Sequence, residues 1–315
     1  MRAALYTTVA ILVAFSPLHA RSAEISEAGA REIAEKLTYY MPKAITDTGF
    51  LKVTAGTQRY ELSVDLATFL KDANPQEFSI TGLKPFVSYL TPQDDGMWKV
   101  EANDNLNVSG FFTDQGKKVD FNYTIDKIAS ESIIDPQLTF ARSMNFSGEK
   151  LKMSMKGGPT NLEFGMDAYS SDLRAENIDG GIADVVANVS ARGISEVILE
   201  PGSGPVALSA ASVDGRSQAD KLGVIAVRDL IMFGLEKYKS GVKTMTKDDD
   251  ARLKTLLRAN VPFVDNLAYD YHFRDVKIAS QGVEVGLSDL GYKFDFNGIK
   301  PDSKVGFEFS VDDPK

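Results

Sequence analysis

At 315 residues, with 43% hydrophobic and 25% charged side chains, the chain is long enough for one large core or two modest ones. Its net charge of −9 makes nucleic acid and bare anionic lipid poor partners. The absence of cysteine excludes thiol catalysis, thiolate metal sites and disulfide staples.

Positions 1–20 read as a signal peptide, with Arg2 as a positive start, an apolar run from Leu5 to Phe15, the breaker Pro17, and Leu18-His19-Ala20 before the cut. Cleavage after Ala23 is the other choice, and an uncleaved anchor the alternative to cleavage, although the apolar run is shorter than the ~20 residues a span needs. Export without cysteine suits a periplasm. Ile25, Ala28, Ile33, Leu37 and Tyr40 then mark a short amphipathic helix that Pro42 helps to stop.

Strands follow. Leu51-Lys52-Val53 opens the first, and Tyr60, Leu62, Val64 and Leu66 alternate with polar residues, the period of a strand wet on one side. Val119 to Ile125 and Leu162 to Met166 alternate in the same way. Turns are predicted at Asp94-Asp95-Gly96, Asp114-Gln115-Gly116, Ser147-Gly148, Gly157-Gly158-Pro159 and Asp179-Gly180-Gly181, as between antiparallel hairpins. The Gly, Ser and Pro content of 201–218 predicts a linker.

From Ala219 to Leu267 the period changes. Val224, Val227, Ile231, Leu235, Tyr238, Val242 and Met245 fall on one side of a helix of about seven turns. Thr246 with Asp249 predicts a capping box for a second helix carrying Leu253, Leu256, Leu257 and Val261, limited by Pro262. Beyond it, Phe294 to Pro301 repeats the pattern of Phe78 to Pro85, each after a helix, which indicates an internal duplication. Val305, Phe307, Phe309 and Val311 alternate in a last strand, expected to be either the cut end of a truncated second lobe or an edge left for a partner. The predicted organisation is a signal peptide at 1–20, a first helix-plus-β lobe at 21–200, a linker at 201–218, and a second lobe of helical hairpin then strands at 219–315.

The fold class expected is mainly β (α+β): a long curved antiparallel sheet with the helical hairpin packed on its concave side. Something like fifteen strands ~4.8 Å apart would span ~70 Å against a helix ~10 Å wide, so the helices cannot cover the sheet. Its apolar faces must close on one another or line a trough.

Candidate chemistry is sparse. Outside the leader His272 is the only histidine, in a strand whose Asp270 and Arg274 share its face, which predicts a solvated position and tolerance of Gln. No G-x-S-x-G seats a nucleophile, and Asp248-Asp249-Asp250 lacks calcium-loop spacing and suits a helix N-terminus, so no catalytic, metal or cofactor residue is assigned. Leu151, Met153, Met155, Leu162, Phe164 and Met166 are either core or the lining of an apolar trough, for which soft methionines are suited.

Together with the helix-then-strand duplication, Val108-Ser109-Gly110-Phe111 and the Phe-x-Ile-x-Gly-Leu-Lys-Pro-like segments, the chain resembles alphaproteobacterial envelope proteins of the YdgA/AsmA-like kind. The resemblance implies envelope maintenance and lipid contact along a β-groove, and brings no catalytic motif. The function expected is non-enzymatic binding of an apolar, lipid-like ligand or of an envelope partner; a structural scaffold and a hydrolase are the alternatives.

Overall fold

The computed structural model describes residues 25–41, 43–71, 73–200, 202, 204–239, 244–298 and 300–314. The expected leader and Val242 lie outside them. The chain is mainly β, a single open antiparallel sheet of 13 strands. Helices α1 (Glu27–Thr38) and α2 (Lys43–Thr46) precede the short strands β1 (Leu51–Ala55), β2 (Tyr60–Val64), β3 (Phe78–Thr81) and β4 (Phe86–Pro92). Six long strands follow: β5 (Trp98–Asp114), β6 (Lys117–Asp135), β7 (Phe140–Lys156), β8 (Asn161–Asp179), β9 (Ile182–Glu200) and β10 (Gly204–Gly223). Helices α3 (Val224–Lys239) and α4 (Lys247–Ala259) then lead to β11 (Asn266–Ser280), β12 (Val283–Phe296) and β13 (Val305–Asp312). β4 pairs with β2, from β5 to β13 every strand pairs with its predecessor in sequence, and β3 adds to the side of β5.

Local chemistry explains most boundaries. Ser26 caps α1 by accepting a hydrogen bond from the Gly29 amide, and Thr246 and Asp249 form the reciprocal capping box of α4. Gln115 and Gly116, both at positive φ, close the β5–β6 hairpin as a tight turn requires. Two expected breaks are absent. Ser147-Gly148 lies inside β7, and 204–218 belongs to β10, hydrogen-bonded on both sides, so the expected linker is strand there and the helix starts at Val224. Alternating Val206, Leu208 and Ala210 outweigh the loop-like composition.

One side of the sheet is apolar and the other polar, since directly paired residues share a face. On the apolar side α1 buries Ala30, Ile33 and Leu37 against Tyr60, Leu62, Leu90, Trp98 and Ile134. The start of α3 buries Val224 with Leu138, Ala183, Val185 and Ala219. Both packings lie at the same end of the long strands. The helical stripe is only partly as expected: Ile231 and Leu235 are half-buried, Tyr238 and Met245 are exposed, and Val224, Ala226 and Phe233 are the buried residues of α3. α3 meets the sheet mainly through its first turn, which frees the rest of the stripe from the packing that periodicity implied.

A transverse row of irregular residues crosses the sheet. Lys150, Gly193 and Asp275, on alternate strands β7, β9 and β11, adopt φ of 52°, 61° and 49°. They sit level with Asp167, Ala211 and Ser288 of the intervening strands, between regular pairs such as Glu149↔Ala168 and Leu151↔Met166. Across this row the apolar residues change parity: Met144 and Phe146 give way to Leu151, Met153 and Met155, and Tyr269, Tyr271 and Phe273 to Val276 and Ile278. At the neighbouring β5–β6 bulge, a Cβ on Gly148 would lie 3.9 Å from the Ile125 side chain, placing both on one side. The irregular row therefore slips the alternation by one residue and keeps the apolar residues on one side along the strands.

Candidate functional site

The six residues singled out as a trough lining are brought together. Leu151↔Met166, Met153↔Phe164 and Met155↔Leu162 are direct cross-strand pairs of β7 and β8, all half-buried. They belong to longer rows. Val108, Tyr123, Met153, Phe164, Glu196, Leu208, Ile278 and Val285 are successive partners across β5 to β12. Gly110, Phe121, Met155, Leu162, Ile198, Val206, Ser280 and Val283 form the next row. Sequence reasoning singled out only the β7–β8 part, because the rest of the rows is assembled from strands whose pairing is not visible in a local pattern.

These rows lie at the end of the strands remote from the helices. Along β10, Ala219 is in the helix-covered cluster and Val206 in the uncovered rows, about 40 Å apart at strand rise. No helix packs on the rows among the described residues. Val206, Leu208, Ile278, Val283 and Val285 are exposed. Exposed apolar side chains gathered on one side of neighbouring strands mark contact with apolar ligands or partners.

The polar side carries an open cleft of about 800 Å³ near the middle of the sheet, lined by Asn145, Asp172, Asn188, Asp214, Arg216 and His272 among others. The concavity there is thus on the side opposite the helices, a correction to the expected placement of the hairpin. The row Ala129, Ser147, Ser170 and Ser190 gives this side small side chains at the cleft floor. The cleft's polar groups largely satisfy one another: Asn188 Nδ2 donates to Asp172 Oδ1 at 3.1 Å, and Ser190 Oγ to Asp214 Oδ1 at 2.9 Å.

His272 is less free than a solvated strand histidine. Its Nδ1 is hydrogen-bonded to Asp289 Oδ1 at 2.8 Å, and its Nε2 lies 3.2 Å from Asp270 Oδ1, an oxygen shielded from water that has no hydrogen-bond partner. The hydrogen bond to Asp289 raises the imidazole pKa above its ordinary value, and the charge of Asp270 adds to it. Both ring nitrogens thus face carboxylates, and neither is directed at a hydroxyl. Because the folded pKa is raised, the protonated His272 stabilises the fold fully below pH ~6.5, and this contribution is lost as pH rises through the folded pKa. His272→Gln should accordingly lower the urea midpoint at pH 5.5 and change it little at pH 9. Equal midpoint shifts at the two pH values would reject the charged pairing.

Asp249, in the capping box, is held at a pKa of about 2 by its ion pair with Lys237 and by the Thr246 backbone amide. That is a structural duty, as its place in a first helical turn implied. Among the described residues no group of three or more histidine, aspartate or glutamate side chains is arranged to hold a metal, and no helix is long and apolar enough to cross a membrane. Comparison with family models, curated proteins and solved structures found no match.

Proposed function

We propose that the protein is a non-enzymatic, exported binder of an apolar, lipid-like ligand, which lies on the uncovered rows of β5 to β12. The observation that supports this most is the run of apolar residues in those rows, interrupted only at Gly110, Glu196 and Ser280, across strands at the end of the sheet without helices. A chain that must stay soluble at net charge −9 gains nothing from such a strip unless something apolar covers it. A lipid acyl chain, long and adaptable, matches a strip lined by Met153, Met155, Phe164 and Met166.

Native mass spectrometry with lipid extraction on protein recovered from the periplasm tests this reading. Co-purifying lipid is expected, with an N-terminus at Arg21 or Glu24. Met153→Asp/Phe164→Asp should lose the lipid at least tenfold while retaining the circular dichroism of the parent, since both side chains are only half-buried. An empty protein that forms a stable assembly would favour the scaffold reading, and an unprocessed Met1 would refute export.

A further inference from the structure

The two outer edges of the sheet are built differently. β1, at one edge, is five residues long and carries α1 beside it. β13, at the other, runs for eight residues, Val305–Asp312, without proline or lysine. Its apolar side chains Val305, Phe307, Phe309 and Val311 are 55%, 62%, 71% and 52% exposed. They continue an aromatic ladder: Tyr269 stacks on Phe294 at 5.6 Å, Phe294 on Phe307 at 5.1 Å, and Tyr292 on Phe309 at 5.1 Å. The ladder stops where the next strand would add. Long, flat, apolar edges are what soluble proteins avoid, by shortening, charging or covering them. The β1 edge follows that rule and the β13 edge does not.

We propose that β13 pairs antiparallel with β13 of a second copy, joining two sheets through a two-fold axis at Phe309. The choice of a second copy rests on self-complementarity. Pairing must keep apolar residues opposite apolar ones, which leaves registers centred on a residue. Two such registers use seven of the eight strand residues. The one centred on Glu308 sets two carboxylates directly opposite each other, a destabilising pair. The one centred on Phe309 sets Phe309 against its copy, Phe307 against Val311, Glu308 against Ser310 and Gly306 against Asp312, with no like charges opposed. The contact is isologous, so it closes at two copies and leaves outside the protected β1 edges and the four-residue β3. It does not depend on what fills the apolar rows, although it would extend the apolar side of the sheet across the axis.

The absence of cysteine makes the register directly testable in the full chain. Sedimentation velocity should show a concentration-dependent doubling of mass, lost in Phe307→Lys/Phe309→Lys. Under mild oxidation Phe309→Cys should form a disulfide dimer, because residue 309 faces its own copy. Val305→Cys should not, its two sulfurs being separated by eight residues of strand, ~26 Å. Phe307→Cys should not cross-link alone but should do so combined with Val311→Cys. A monomer at all concentrations overturns the proposal, and so does cross-linking that peaks at Glu308→Cys or is equal at all positions. Loss of lipid with the dimer intact would overturn only the ligand reading.

Discussion

Leu90→Ala will lower stability by ~3 kcal/mol, near the middle of the range for buried leucine truncations, and will be among the costliest single truncations in the chain. Leu90 is 0% exposed, on β4 between Tyr60 and Val100, in the cluster that joins α1 to β2, β5 and β6. It is enclosed both by the sheet and by Ile33 and Leu37 of the helix, so the surroundings cannot collapse onto the space left behind. Ile231→Ala and Leu235→Ala, on the half-buried stripe of α3, should cost less than half as much, and Glu236→Ala no more than about 0.5 kcal/mol, because its ion pair with Arg252 is exposed. Urea midpoints of the four variants decide the matter. A larger loss at Ile231 than at Leu90 would place the main core under the helical hairpin instead of under α1.

That contrast shows what the sequence makes legible. Tyr60, Leu62 and Val64 alternate with polar residues in a strand of unbroken phase, and they are buried as the pattern says. The helix after position 219 is also visible as a period, but periodicity reports which side chains are apolar and not what meets them. Val227, Ile231 and Leu235 share a stripe, yet α3 joins the sheet's apolar cluster through Val224 and Ile225 of its first turn, and the stripe residues stay half-buried. The linker expectation failed for a related reason. In 204–218, Gly204, Pro205, Gly215 and three serines carry the local signal of a loop, while the strand is held by partners on β9 and β11 that are remote in sequence. The β7–β8 part of the apolar rows was readable because Leu151 to Met155 and Leu162 to Met166 each lie wholly on one side of the irregular line.

The irregular line itself gives the second large effect. Gly193 on β9 has φ of 61°, and a Cβ there would overlap the Asp167 carboxylate of the neighbouring strand. Gly193→Val adds a left-handed β-branched residue, a cost of roughly 1–2 kcal/mol from backbone sterics, to a clash that must displace Asp167 or the strand. A total loss of about 3 kcal/mol or more is expected, read as a lower urea midpoint. Lys150→Gly, on the same row, removes a side chain from the same conformation, so stability should hold or rise by about 1 kcal/mol. The pair distinguishes a built phase slip from a local accident. If β9 could straighten, valine at 193 would be accommodated by regular pairing, but Ile194 and Ile198 would then turn to the polar side and the rows through Leu162 and Val206 would break. A Gly193→Val protein of undiminished stability and unchanged circular dichroism would therefore show that the slip is not what holds the apolar side of the sheet together.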